Sequence, residues 1–168
     1  MNRVTASLGT VIFLIVAPGF VAGFVPWWMS RWPSTPAAFD IAGLKIVGIA
    51  FIALGLVVLL DSFARFALQG IGTPAPVLPT RHLVATGFYR HVRNPMYVAV
   101  TALVVGQGLL FARMGILLYG AVLWLCFHIF VIAYEEPTLR RTFGASFERY
   151  LANVPRWVPR LRPWVEQS

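Results

Sequence analysis

The sequence predicts an all-α, polytopic membrane protein with about four transmembrane helices and a C-terminal amphipathic interfacial helix. Of its 168 residues, 58% are hydrophobic and only 12% are charged. The mean hydropathy of +0.74 is too high for an ordinary soluble domain. Apolar runs cover about residues 4–24, 41–60, 97–112 and 114–134. Because a helix needs about 20 apolar residues to cross the hydrocarbon, three runs match a span and the run at 97–112 is short for one. We expect a single domain over 1–168, with a cytoplasmic tail at 135–168.

Local signals set the expected limits of these elements. The first apolar run also resembles a signal peptide, but its uncharged stretch continues to Ser30 and is longer than a signal peptide requires. The second helix is expected to continue beyond Asp61 as an amphipathic end and to stop at Gly70 and Gly72. The short third run is expected to tilt little, to thin the bilayer locally, or to pair with the fourth run as a tight hairpin around Arg113 and Gly115.

The C-terminal part has the pattern of a short helix on a membrane surface. The chain is expected to turn at Pro137 and then to follow helical spacing through Leu139, Phe143, Phe147, Tyr150 and Leu151. We expect this helix to lie on the cytoplasmic membrane surface, where it could also cap a pocket. The segment from Val154 to Arg160 is expected to be extended and to anchor at the interface.

Most basic residues are expected to lie on one side of the membrane. The net charge is +8, which could suggest a nucleic-acid partner. The predicted topology, however, assigns eleven of the 14 lysines and arginines to the cytoplasmic side and leaves only Arg31, Lys45 and Arg113 on the other. This bias predicts an integral protein of the cell inner membrane whose termini and site face the cytoplasm, with membrane lipids and no nucleic acid as partners. Three histidines and one cysteine lack the spacing of a structural metal site, so no metal is predicted.

Two acidic residues end the fourth apolar run. Glu135 and Glu136 lie near the expected hydrocarbon boundary, where an unpaired ion is costly, and they oppose the dipole of the helix they end. They are therefore expected to meet cations, namely a positively charged ligand or arginines such as Arg90, Arg93, Arg140 and Arg141. A solvated helix end with an arginine pair is the alternative.

A cationic and aromatic segment, residues 87–97, precedes the third run. Pro95 suits the first turn of a helix, because its missing N–H is not needed there. Arg93, Asn94 and Tyr97 offer donors and a ring for a ligand that carries a carboxylate, a ribose and a base. An interfacial anchor at Tyr97 and a topology-setting charge at Arg93 are the alternatives.

These segments resemble, in order and spacing, the membrane-embedded methyltransferases that include isoprenylcysteine carboxyl methyltransferases and phospholipid N-methyltransferases. The residues that carry the resemblance are Gly87-Phe88-Tyr89, Arg93-Asn94-Pro95-Met96-Tyr97, Glu135-Glu136-Pro137, Phe143-Gly144, Tyr150 and Val154-Pro155-Arg156. The resemblance covers roughly residues 72–160. Asn94 stands where many members have histidine, and Val131 lies near the position of a substrate-contacting arginine in the isoprenylcysteine enzymes.

The resemblance implies S-adenosylmethionine as cofactor, in a cytoplasm-facing pocket between the last two spans and the C-terminal helix. The implied cofactor contacts are Leu83, Val84, Tyr89, Asn94, Pro95, Met96, Tyr97 and Glu135. Arg93 or Glu136 would orient or deprotonate a lipophilic or amphipathic small molecule or lipid as methyl acceptor. A non-enzymatic membrane transporter or subunit and an NADPH-dependent membrane reductase are the competing hypotheses. The acceptor group and the oligomeric state stay open.

Overall fold

The computed structural model describes residues 16–31, 41–69, 83 and 85–165, with backbone alone at 66–69. Every regular element in these residues is helical, as predicted. A π-helical segment at Gly19–Phe24 leads into α1, and a 3₁₀ turn at Gly87–Arg90 and a π-helical segment at Val131–Glu135 follow later in the chain. The α-helices are α1 (Val25–Ser30), α2 (Ala42–Gln69), α3 (Pro95–Leu110), α4 (Met114–Phe130), α5 (Glu136–Phe143) and α6 (Ala145–Asn153).

Two helices are long and apolar enough to cross a membrane. They are Ala42–Arg65 within α2 and Met114–Phe143, which joins α4, the π-helical segment and α5. Their apolar side chains are mostly exposed, including Leu54 and Leu118, so the described chain does not cover them as it would a soluble core. Helix α3 is apolar but shorter, as expected for the third run. Most of the first predicted run lies outside the described residues, and the four-span arrangement stays a prediction.

Helices α2 and α3 pack closely because glycines face each other. A Cβ atom built on Gly48 would lie 2.6 Å from the carbonyl oxygen of Gly106, and one built on Gly106 would lie 2.7 Å from that of Gly48. Small residues allow this backbone approach between apolar helices. The buried core continues along the same helices and α4 through Leu59, Phe63, Ala99, Val100, Leu103, Val104 and Ile116.

The predicted turn at Pro137 is wrong. Pro137 lies in the first turn of α5, directly after a π-helical segment, where its missing N–H is tolerated and the helix continues to Phe143. The chain changes direction at Gly144 instead, which has φ of +50° and ψ of −124°. A positive φ favours glycine, because a side chain would be strained there.

The apolar face of α6 packs inward on the protein. Phe147 and Tyr150 are buried with Val154 in a cluster that also contacts Leu83 and Trp164. This face is therefore covered by the chain itself, and contact of α6 with a membrane surface stays a prediction. The cluster holds the tail beside the segment that precedes α3.

We expect Gly48→Ala to destabilise the protein and Gly43→Ala, on the same helix, to leave it unchanged. The added methyl group at position 48 would clash with backbone atoms of α3, whereas no atom of the described residues lies within 4 Å of a Cβ at position 43. Overpacking of this kind costs about 1–3 kcal/mol. Thermal unfolding in detergent measures the difference. Equal midpoints for the two variants would contradict the close packing of α2 and α3.

Candidate functional site

A cleft opens where the start of α3 meets the end of the long α4–α5 helix and the middle of α2. It contains about 740 Å³ of space between protein atoms, including its open mouth. Its polar lining residues, named the polar end, are Tyr89, Arg93, Asn94, Tyr97 and Glu135. Its apolar lining residues, named the apolar end, are Leu59, Phe63, Met96, Val100, Phe127, Ala17, Pro18 and Val21. Six of the ten residues predicted for the site therefore line one cleft.

Glu135 and Tyr97 meet at the polar end. The Tyr97 hydroxyl donates a hydrogen bond of 2.9 Å to Oε2 of Glu135. The ring of Tyr97 packs against Phe127, with 4.6 Å between the ring centroids. Glu135 is the last residue of the π-helical segment, and such a segment shifts the face that the following residues take. Glu135 and Glu136 are adjacent in sequence, but their side chains have different neighbours.

Glu136 binds two arginines and does not line the cleft. Its Oε1 accepts hydrogen bonds from Nη1 of Arg93 at 2.9 Å and from Nε of Arg156 at 2.7 Å, and its Oε2 accepts one from Nη2 of Arg156 at 2.9 Å. The side chains of Glu136 and Arg93 are only 12% and 13% exposed. Burial lowers the pKa of Arg93, and the charge of Glu136 opposes this shift. The hydrogen bonds to Glu136 raise the pKa of Arg156. The three groups therefore form a charged cluster behind the cleft wall.

The C-terminal tail closes this wall by pairing with the segment before α3. The backbone N–H of Arg93 donates to the Pro155 carbonyl at 2.9 Å, and Nδ2 of Asn94 donates to the Arg156 carbonyl at 3.2 Å. Farther along, the Arg160 N–H donates to the His91 carbonyl at 3.0 Å. The tail was predicted to be extended, but these partners could not be read from the sequence.

Tyr89 enters the cleft from the 3₁₀ turn. Gly87 starts this turn with φ of +55°, and the Tyr150 hydroxyl donates a hydrogen bond of 2.6 Å to the Tyr89 carbonyl. Burial raises the pKa of the Tyr89 phenol well above its ordinary value, and the nearby charge of Glu135 adds to the effect. The phenol therefore stays protonated at neutral pH, as a hydrogen-bond donor.

Two further predicted residues, Leu83 and Pro95, are not among the residues that line the cleft. Leu83 packs against the cluster of Phe147, Tyr150 and Val154 and does not line the cleft. Pro95 is buried at the start of α3, and Val84 lies outside the described residues. Within the described ranges, no group of three His, Cys, Asp or Glu could hold a metal ion.

Sequence reasoning missed several residues that shape the site. Arg156 and Tyr150 carried the resemblance to the family but had no predicted role at the site. No role was predicted for the apolar side chains of Leu59, Phe63 and Phe127, which line the cleft. The tail residues have no local signal, because their partners are distant in sequence. Leu59 and Phe63 lie two residues before and after Asp61 on α2. The sequence alone does not show which face of α2 is turned toward the other helices, so these residues could not be assigned to the cleft.

Comparison with known proteins identifies the family. A sequence model described as phospholipid methyltransferase matches residues 44–146, which is more than half of the chain. The chain belongs to the phospholipid methyltransferase family. This confirms the resemblance, and it favours a methyltransferase over the transporter and the NADPH-dependent reductase. With two apolar helices, family membership also indicates a membrane-associated protein.

A curated relative supports the same grouping. The chain is similar to the protein-S-isoprenylcysteine O-methyltransferase of Schizosaccharomyces pombe, with 28% identity over 131 residues. The aligned region covers 77% of this chain and 55% of the relative. The chain thus spans about half the length of the curated relative it matches.

We expect Tyr150→Phe to destabilise the protein, because the substitution leaves the Tyr89 carbonyl without its buried donor. The loss of an acceptor's partner costs about 1–3 kcal/mol. Tyr134→Phe is the matched control, since Tyr134 is exposed and its change is expected to stay within about 0.5 kcal/mol. Thermal unfolding of both variants in the same detergent provides the measurement. If Tyr150→Phe unfolds at the midpoint of Tyr134→Phe, the bond does not support the cleft wall.

Proposed function

We propose that this protein is a membrane methyltransferase that transfers a methyl group from S-adenosylmethionine to a lipophilic or amphipathic acceptor. The observation that carries the proposal is that one cleft is lined both by charged and polar residues and by a set of apolar residues. Such a cleft suits two ligands of different character, one polar and charged, the other bearing a hydrocarbon chain. Family membership supports the reaction class.

The polar end fits the chemistry of the proposed cofactor. Oε1 of Glu135 has no hydrogen-bond partner among the described residues, so it is available to a cation or to an N–H donor. Nε of Arg93 is buried and also lacks a hydrogen-bond partner in the described part of the chain. A carboxylate and a guanidinium at one end of a cleft match an amino acid group, which carries both charges. The rings of Tyr89 and Tyr97 offer flat surfaces for a base.

We assign the cofactor-binding role to Tyr89, Asn94, Met96, Tyr97 and Glu135, which all line the cleft. Leu83, Val84 and Pro95 stay predicted contacts, and Pro95 would act by starting α3 beneath the cleft. S-adenosylmethionine, when bound, would supply a methyl group on an electrophilic sulfonium. The protein would align the acceptor with that group and exclude water through its apolar wall, since alignment alone lowers such a barrier substantially.

Arg93 and Glu136 receive different roles in this proposal. Arg93 lines the cleft and would contact the cofactor or the acceptor directly. Glu136 is occupied by two guanidinium groups, so we assign it to positioning Arg93 and not to removing a proton. Glu135 is the only carboxylate that lines the cleft in the described residues, and it is the better placed group for any proton transfer.

The proposed location is the cytoplasmic face of a cell inner membrane, with four spans and both termini in the cytoplasm. The distribution of basic residues, eleven against three, supports this orientation. The apolar end of the cleft would receive the acceptor from the lipid.

A binding measurement tests the proposal directly. The purified protein in detergent is titrated with S-adenosylhomocysteine, with NADPH as the comparison ligand. We expect saturable binding of the first and none of the second. A folded sample that binds neither, or only NADPH, would defeat the proposal. Transfer of labelled methyl groups to extracted membrane lipids would then identify the acceptor.

We expect Glu135→Gln to weaken the binding of S-adenosylhomocysteine by about 10- to 100-fold, because a hydrogen bond to a charged group contributes about 1.5–3 kcal/mol. Glu148→Gln removes the same charge from an exposed position on α6 and is expected to leave the affinity within about twofold. Isothermal titration calorimetry compares both variants with the native chain. Equal affinities for all three proteins would remove Glu135 from the cofactor site.

A further inference from the structure

A second cavity is lined by the end of α2, the 3₁₀ turn and the tail. It contains about 530 Å³ of space between protein atoms, including its open mouth. Asp61 and Arg65 line it from α2, Arg90 and His91 line it from the turn and the residue after it, and Pro163 lines it from the tail. None of these five residues lines the cleft that holds Tyr89. The turn therefore presents one side chain to the cleft and its neighbours to a separate, basic cavity.

The backbone at Gly87 brings a guanidinium from α2 against this turn. A Cβ atom built on Gly87 would overlap the side chain of Arg65, so only glycine allows Arg65 to pack there. The positive φ of Gly87 also favours glycine, because a side chain would be strained in that conformation. Arg65 and Arg90, which are 25 positions apart in the sequence numbering, consequently line one cavity.

The charges of the cavity do not balance. Nε of Arg65 donates to Asp61 at 2.8 Å, which pairs this arginine. Nε of Arg90 donates to the Trp164 carbonyl at 2.6 Å, an uncharged partner, and Arg90 has no carboxylate partner among the described residues. Two guanidinium groups and one carboxylate thus leave one excess positive charge.

His91 adds a defined ring orientation. Its Nδ1 lies 2.8 Å from the Arg160 carbonyl oxygen. A carbonyl oxygen only accepts, so Nδ1 carries the hydrogen and Nε2 is left for another partner. The imidazole is therefore fixed at the edge of the cavity by the tail.

We propose that this cavity binds a phosphate group, supplied by the head group of an anionic membrane lipid. A guanidinium without a carboxylate partner is suited to phosphate oxygens, which it binds through parallel N–H donors. Arg65 is the last residue of the candidate span Ala42–Arg65, so the cavity lies at the end of that span, where lipid head groups are found. A soluble phosphate has the same chemistry and is distinguished by the test.

Phosphate binding here would join three parts of the fold. The cavity is formed by the end of α2, the turn that carries Tyr89, and the tail. A lipid bound between them would stabilise the turn and hence the cleft wall, without contacting a ligand in the cleft. The proposal does not depend on the reaction assigned to the cleft.

Binding of phosphatidylglycerol to the purified full chain in a neutral detergent tests this inference. Native mass spectrometry would follow occupancy against lipid concentration, with phosphatidylcholine and inorganic phosphate as comparison ligands. We expect saturable binding of phosphatidylglycerol. Arg90→Gln is expected to weaken it by about five- to tenfold, since a basic residue near lipid head groups contributes about 1 kcal/mol or more. The control Arg141→Gln removes the same charge from an exposed position on α5 and should change the affinity less than about twofold.

Arg90→Gln also removes the contact between Arg90 and Trp164, so a second variant tests the cavity with this contact in place. Arg65→Gln leaves the Arg90–Trp164 contact intact but cancels the excess positive charge of the cavity, because Asp61 then balances Arg90, so it is also expected to weaken phosphatidylglycerol binding. Inorganic phosphate binding with the same dependence on both variants, without lipid binding, would support the site and reject the lipid source. Absence of saturable binding by either ligand, or an equal loss in Arg141→Gln, would overturn the proposal.

Discussion

The carboxylate of Glu136 is the interaction on which the site depends, because it joins three distant segments. It receives Arg93 from the segment before α3 and Arg156 from the tail, while its own backbone begins α5. Removing a buried acid from water is costly, and this cost is offset only where the geometry is good. Arg156 supplies that geometry, since it binds both oxygens of Glu136. Glu136 is hydrogen-bonded to Arg156 and Arg93, and the side chain of Arg93 also lines the cleft.

The tail extends this connection along the backbone. Its hydrogen bonds to Arg93, Asn94 and His91 satisfy an irregular segment that has no helix or sheet of its own. Two further contacts at Trp164 hold Arg90, through the N–H and the carbonyl of the tryptophan. The tail thus holds the segment on one side, and Tyr89 and Asn94 of the segment line the cleft. A short 3₁₀ turn would otherwise be a weak support for a binding site.

Much of this arrangement could be predicted from the sequence, and the exceptions share a cause. Apolar runs and breaker residues indicate the helices, including the continuation of α2 to Gln69, because both signals are local. Tyr89, Tyr97 and Glu135 line one cleft, as the resemblance to the family implied. Pro137 misled the prediction because the π-helical segment before it has no sequence signal. The two-contact pairing of Arg156 with Glu136 depends on where the tail folds back, which only the tertiary structure determines.

The separation of Glu135 from Glu136 explains how adjacent acids can have unlike functions. A negative charge held by two guanidinium groups attracts no further cation, so Glu136 adds little to the field inside the cleft. Glu135 accepts a hydrogen bond from the phenol of Tyr97 and has no ion-pair partner among the described residues. The polar end of the cleft therefore contains one acid that lacks a cationic partner in the described part of the chain, beside an arginine whose charge is shared with the cluster behind it. A ligand with a cationic centre near Glu135 and an anionic group near Arg93 would compensate both, and neither charge alone would do so.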